Sequence, residues 1–504
     1  MGRKVLAAKS GRAVCSCAAA GGGIAAKNAK SAESLTQRHK GTEKMKSSGN
    51  PWIGDVPEGW EVRRLKSIFE YRKGLSITKA DLTQTGIPVI SYGQIHSKEN
   101  TGTHLQDSLL RFVPLKYLES DGNCLLKEYD FVFADTSEDL EGLGNCVYVD
   151  RQDKIFAGYH TIIFRPYGHY RGEVKFRYLA YLFKTDVWRS QFRAKAFGIK
   201  VYSLSQRLLN DCYLILPPLP VQRAIASYLD EKCGAIDEAI VEAKKGIEEY
   251  KAWKKSLIFE VVTGKRRVGF FNAESKCARD EVVGLPERSE TEGLQGAARH
   301  RGAEKMKPSG IPWIGTIPEG WKVSRVKNEC DCLDYLREPI SAENRVNEKA
   351  LYDYYGASGA IDKIDDFNVD DTVLLIGEDG ANLRMRNLPL VYRASGKIWV
   401  NNHAHILKVK PSNDYGFMAY ALEAGDYNDF VTGSAQPKLT QTDLMAMPVV
   451  LPSLSKQQAI ADHLDEKCAA IDAMVAEKEA LIADLEAYKK SLIYETVTGK
   501  REVA

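Results

Sequence analysis

One segment of this chain is written twice. Leu216–Arg266 returns at Leu451–Arg501, displaced by 235 residues, with LDEKC, KKSLI and VTGKR intact in both copies. In the first copy, which begins its stripe at Val221, apolar residues fall at Ile225, Leu229, Ile236, Ile240, Ile247 and Leu257. The second places Ile460, Leu464, Ile471, Val475, Leu481, Leu485 and Leu492 in the same way. Spacings of three, four and seven are those of a heptad seam. Pro217–Pro218 and Pro452 stand just before each stretch, where a missing amide hydrogen costs least, and Gly264 and Gly499 close it. A helix of ~42 residues at ~1.5 Å per residue is ~60 Å long, too long for the core of a small domain. Two such stripes bury most simply against each other; the alternative is that each packs on its own globular part.

A second segment is also doubled, but with a different offset. PWIGDVPEGW at Pro51–Trp60 returns as PWIGTIPEGW at Pro312–Trp321, displaced by 261 residues. The offsets differ by 26 residues, and the mismatch falls between Lys66 and Gly198. Two units therefore share their ends and differ in the middle. The sequence predicts a disordered tail over 1–44, a first globular domain over 45–216 and a helix over 217–266. A linker over 267–305 follows, then a second globular domain over 306–451 and a second helix over 452–504. In both openings the Trp of P-E-G-W and the Val and Leu positions of the following V-x-R-(L/V)-K strand are expected in the core, with the charges outside. Strand candidates are Ile87–Tyr92, Asp130–Ala134, His160–Phe164, Thr372–Ile376 and His405–Val409, with helices over Tyr178–Phe192 and Phe417–Phe430. This mixture reads as α+β.

Composition closes off several classes. At 44% hydrophobic, 27% charged and a mean hydropathy of −0.32, the chain is globular in balance. No apolar run approaches the ~18–20 residues that span a bilayer, and the N-terminus lacks a signal-peptide core, so cytoplasmic residence is expected. The C-x-C pairs Cys15/Cys17 and Cys330/Cys332 lack the spacing of a zinc site, and reduced, buried thiols are the better expectation.

Catalytic motifs are missing from the sequence. Gly142-Leu143-Gly144 lacks a third glycine, Leu216-Pro217-Pro218-Leu219 lacks the Asn/Asp and aromatic of an amino-methyltransferase, and Thr263-Gly264-Lys265 is no P-loop. The twin Asp230-Glu231-Lys232 and Asp465-Glu466-Lys467 lie inside the heptad stretches, where charges are expected on a solvated face.

Nucleic-acid chemistry is better represented. His160–Lys200 carries nine Lys/Arg against two acids, interleaved with aromatics. Basic side chains neutralise phosphates, while Gln, Arg and Lys pair with adenine and guanine edges. The candidate DNA contacts are Lys73, Tyr92, Gln94, Arg171, Lys175, Arg177, Lys200 and Tyr202 in the first unit. Arg384, Arg386, Gln436 and Lys438 are those of the second. His160, His403 and His405 could contact bases or simply pack.

The doubled PWIG-x-(V/I)-PEGW segment, with LP-x-L…Q-x-x-AIA-x-x-LDEKC-x-AID running into KKSLI-(F/Y)-E-x-VTGKR, resembles the specificity subunits of type I restriction-modification systems. The resemblance implies two globular target-recognition domains separated by two long antiparallel coiled-coil spacer helices, related by a pseudo-twofold internal repeat. It implies double-stranded DNA as ligand, with two modification (methyltransferase) subunits and restriction/translocase subunits as partners, and no membrane. S-adenosylmethionine, ATP and Mg would belong to those partners, and no cofactor to this chain. The chain would supply sequence specificity without chemistry of its own.

Overall fold

The computed structural model describes residues 44–193, 202–268, 305–345 and 351–503. It divides into two compact units, one of residues up to Ile240 together with Ala483 onward, the other of Val241–Ile482. All but the last residue of the tail expected over 1–44 and most of the linker expected over 267–305 lie outside the described residues, as does Lys200.

The first unit opens on an antiparallel pair, Met45–Ser47 with Asp55–Pro57, that buries Val56 and Trp60. Glu61–Arg64 then pairs with Tyr213–Leu216, the strand that leads into the first long helix. Between them lies a four-stranded antiparallel sheet in the order Phe69–Lys73, Thr161–Pro166, Phe131–Ala134, Cys146–Tyr148. Its packed face is aromatic: Phe133 stacks on Phe164 at 4.1 Å, and Phe183 meets Phe131 edge-on at 4.9 Å. A smaller sheet joins Phe156–Ala157, Ile87–Ile90 and Arg111–Val113.

The second unit repeats this plan with different side chains. Met306–Pro308 pairs with Thr316–Pro318, and Lys322–Arg325 with Pro448–Leu451. The four-stranded sheet runs Cys330–Cys332, Ala404–Val409, Val373–Gly377, Val391–Ala394. Leu374, Ile376, Leu407, Phe417 and Leu422 fill a mostly aliphatic core beneath it. The second sheet, Gly359–Ile364, Tyr352–Gly356, Lys397–Val400 and Val369–Asp370, has four strands where the first unit has three.

Both long helices are continuous, Leu219–Val262 and Leu454–Val497, 44 residues each, and the unit boundary falls inside each. Within each unit they run antiparallel. In the first, Lys489 Nζ donates to Asp237 at 2.5 and 2.6 Å; in the second, Lys254 Nζ donates to both Asp472 oxygens at 2.7 Å. The repeat offset converts Asp237 into Asp472 and Lys254 into Lys489, so the two bridges are copies of one contact. Of the seam, Ile225, Leu229, Ile236, Ile240, Ile247, Leu257, Ile460, Leu464, Ile471 and Leu492 are buried, and Val475 and Leu485 half-buried. The stripes serve both expected purposes, since in the second unit Leu257, Val261, Ile460 and Leu464 join the core of the globular part.

Each unit is completed by the helix of the other repeat. Gly264 (φ +72) ends the first helix against Pro318 and Trp321 of the second unit. Gly499 (φ +72) ends the second helix against Pro57 and Trp60 of the first. A Cβ at either glycine would overlap the proline ring, so the position needs glycine both for its left-handed backbone and for space.

Several local expectations change. Tyr178–Phe192 is two helices, Phe176–Leu182 and Asp186–Arg193, because the Thr185 hydroxyl bonds the Leu182 carbonyl and Asp186 starts afresh. The helix expected to Phe430 stops at Glu423, just before Gly425, and Tyr427 turns its hydroxyl back to the Leu422 carbonyl. The strand from Ile87 ends at Ile90, where Ser91 opens a short helix, Tyr92–Ile95. Val323 is exposed rather than in the core, because Lys322–Arg325 pairs only with one strand and turns Val323 outward. Val221 and Leu481 are exposed, so the seam does not include them.

Candidate nucleic-acid interface

The sheet gives each unit two ends with different character. In the first unit, the end at Lys73, Asp135 and His160 gathers loops from distant parts of the chain. Tyr92 N donates to the Tyr159 carbonyl, bringing the Tyr92 ring to 5.6 Å from the His160 imidazole. Tyr202–Ser203 pairs with Thr136–Ser137, and Leu204 N donates to the Asp135 carbonyl at 2.7 Å. Beside them opens a cleft of about 490 Å³ whose lining includes Tyr92, His96, Glu138, Asp139, Asn145 and Arg189. Lys73, Tyr92, Gln94 and Tyr202, drawn from three separate segments, thus share one end of the sheet. The Gln94 amide is partly committed, its Oε1 accepting from Ser91 N at 3.2 Å.

Arg171, Lys175 and Arg177 lie at the opposite end, after Pro166. Arg171 and Lys175 are exposed. Arg177 donates to Asp230 at 2.8 Å, and Tyr181 bonds the same carboxylate oxygen at 2.7 Å. The second unit repeats this bolt with unrelated residues: Arg393 and Tyr420 both reach Asp465 Oδ1, at 2.8 and 2.7 Å. The Asp of the doubled LDEKC lies on the solvated helix face as expected, and it also ties helix to globular part.

The basic stretch is mostly used up inside the fold. Arg165 is buried on Asp130, Lys184 donates to the Thr101 carbonyl, and Arg189 and Arg193 reach the Glu141 carbonyl. Burial pushes the Lys184 ammonium down to about 8. Arg165, Arg177 and Arg193 are paired with carboxylates inside the fold, and Lys184 and Arg189 donate to carbonyl oxygens there.

In the second unit the corresponding sheet end carries Glu378, Asp379 and His403. Leu439 N donates to the Glu378 carbonyl at 2.8 Å, as Leu204 does to Asp135, so the Lys438 loop sits where the Tyr202 loop sits. Lys438 Nζ lies 2.9 Å from Glu378, which Arg337 also contacts. Burial alone would raise this carboxyl, and the two cations bring it below the ordinary range. His405 is buried beneath, its ring bonding Asp334 at 2.6 Å and the Leu439 carbonyl at 2.9 Å. Gln436 is exposed on the same loop. Arg384 is exposed but bonds the Val431 carbonyl at 3.0 Å, while Arg386 is turned inward to the Gly425 carbonyl and Glu423.

The carboxylates beside the two exposed histidines carry no signal in the sequence. His160 bonds Asp135, and His403 bonds Asp379, at matching strand ends. The two histidines are 243 residues apart and fit neither repeat offset, since they lie where the units differ in length. Only the shared sheet order relates them.

Each unit thus carries its own set of loops on a duplicated frame. The model of the type I restriction modification DNA specificity domain matches residues 57–245 and 318–482, and the chain belongs to that family. It is 24% identical over 477 residues to a Methanocaldococcus jannaschii protein named for the specificity subunit of the type I restriction enzyme MjaX, covering 90% of this chain and 96% of that one. To the Escherichia coli type I restriction enzyme EcoprrI specificity subunit it is 30% identical over 130 residues, 25% of this chain and 31% of that one. A solved chain from work on complex assembly and conformational transition of the type I R-M system shares the fold, with a TM-score of 0.58 at 14% identity over 88% of this chain and 99% of that one. The chain is a non-catalytic DNA specificity subunit of a type I restriction-modification system.

Proposed function

We propose that each unit reads one half of a split, asymmetric DNA target, and that the sheet end bearing His160 in one and His403 in the other faces the DNA. The observation that carries this is convergence: in both units the same sheet end collects polar side chains from segments far apart in sequence, on a frame whose other parts are duplicated. Lys73, Tyr92, Gln94 and Tyr202 would serve the first half-site, together with Lys200, which lies outside the described residues. Gln436, Lys438 and Arg384 would serve the second. Arg171 and Lys175 stand exposed at the opposite end, away from this face, and Arg177 and the inward-turned Arg386 are engaged within the fold.

The domain limits follow the repeat: recognition domains over 45–216 and 306–451, spacer helices over 217–266 and 452–504. Two modification subunits would grip the helices, directing adenine methylation with their own S-adenosylmethionine, and restriction/translocase subunits would bring ATP and Mg. No helix among the described residues is long and apolar enough to cross a membrane, in keeping with work on cytoplasmic DNA.

Sequencing the methylated bases of DNA from cells that co-express this chain with its modification subunit tests the reading. A two-part, non-palindromic methyladenine motif with an unread gap is expected. An uninterrupted or palindromic motif would refute it.

A further inference from the structure

Two exposed histidines, one per unit, stand at the same place, each with Nδ1 beside a carboxylate, although Asp379 lies one residue beyond the position that corresponds to Asp135. His160 precedes the strand Thr161–Pro166, and Asp135 follows its neighbour Phe131–Ala134. His403 precedes Ala404–Val409, and Asp379 lies two residues beyond Val373–Gly377. The Nδ1–carboxylate distances are 3.3 Å and 2.6 Å, with the imidazoles 57% and 52% exposed. A carboxylate only accepts hydrogen bonds, so Nδ1 is the protonated nitrogen of the neutral ring and Nε2 carries the free lone pair. His160 also holds a left-handed backbone (φ 53), a conformation that costs energy in a residue other than glycine. In the second unit the Asn401 side chain fixes the loop instead, its Oδ1 accepting from His403 N at 2.8 Å.

We propose that His160 and His403 are specificity-determining residues, each offering Nε2 as an acceptor to an exocyclic amino group in the major groove, adenine N6 or cytosine N4. Asp135 and Asp379 are positioning residues that set the tautomer. This rests on the reading of that sheet end as the DNA face. An acceptor held in one orientation discriminates, because a guanine O6 or thymine O4 at the same spot would oppose lone pair to lone pair. The two units share the device while their neighbouring loops differ, so one chemistry serves two unlike half-sites.

The test measures binding of the assembled complex with its modification subunits to DNA varied one base pair at a time across both half-sites. His403→Ala is expected to lose roughly tenfold discrimination at a single position of one half-site and to leave the other half-site untouched. His160→Ala does the converse, and Asp379→Ala relaxes the same position as His403→Ala. Independently of any variant, wild-type complex meets DNA carrying purine in place of adenine, or 2-pyrimidinone in place of cytosine. Loss of affinity at that one position with the first analogue identifies adenine, and with the second cytosine. Unchanged preferences in both histidine variants, or no penalty from either analogue at any position, would overturn the proposal. So would a uniform loss of affinity with a shallower salt dependence, the mark of a phosphate contact. These outcomes presuppose that the wild-type complex gives a two-part motif; if it does not, the broader reading has failed instead.

Discussion

At the scale of single residues, duplication marks what the frame requires. Gln222 and Gln457 occupy the same repeat position, and both are buried. Gln222 accepts from Lys175 N at 2.8 Å and donates to the Pro217 carbonyl at 2.8 Å; Gln457 accepts from Asp414 N at 2.8 Å and donates to the Pro452 carbonyl at 3.1 Å. Each stitches the start of a long helix to its globular part, where the preceding prolines leave carbonyls without a helical partner. Truncating Gln222 to Ala strands one donor and one acceptor, costing about 2 kcal/mol in the first unit. Gln457→Ala costs the second unit a similar amount. The pair share no partner, so chemical denaturation of the double variant should show the two losses simply added. A double variant no weaker than either single one would contradict this.

At the scale of elements, the long helices were legible and the middles were not, for a physical reason. A heptad stripe is a local pattern repeated many times, so each turn reports the same structure, and both helices end at the glycines that the sequence marks. The middle segments are short strands whose partners lie far away: Thr161–Pro166 pairs with strands centred some thirty and ninety residues earlier. There the competing local signals won, as at Thr185 and Gly425, and two expected helices broke or stopped early. The twin bridges Asp237–Lys489 and Lys254–Asp472 fix the axial register of the helix pair. Removing a matched heptad from the middle of each helix, around Lys245 and Ala480, preserves the stripe because seven residues are close to two turns. It shortens each helix by about 10 Å, the length of about three base pairs. Methylated-base sequencing of the shortened complex should return both half-sites unchanged with a gap about three base pairs smaller. An unaltered gap in an active complex would exclude the helices as the spacing element.

For the molecule as a whole, the sequence exposed the repeat but not how its copies are interleaved. Offsets align identical residues with each other, whereas the fold pairs the end of each helix with the opening hairpin of the other copy. The same limit hid the histidine–aspartate pairs, which no offset superposes. The exchange makes the first unit depend on residues nearly three hundred positions beyond its last globular strand. Tyr178, fully buried, divides its hydroxyl between the Ile215 carbonyl at 3.1 Å and the Val497 carbonyl at 3.0 Å. Leu492, Ile493 and Val497 are buried, and Gly499 closes over Trp60. Burial of those three side chains contributes about 5 kcal/mol, a large share of the roughly 5–15 kcal/mol that holds a domain folded. A chain ending at Ile482 should therefore lose the protease resistance of residues 45–240 while Val241–Ile482 stays resistant. A peptide spanning Ala483–Ala504 added back should restore it in proportion to its concentration. Full resistance of the first unit without that peptide would show that its globular part stands alone.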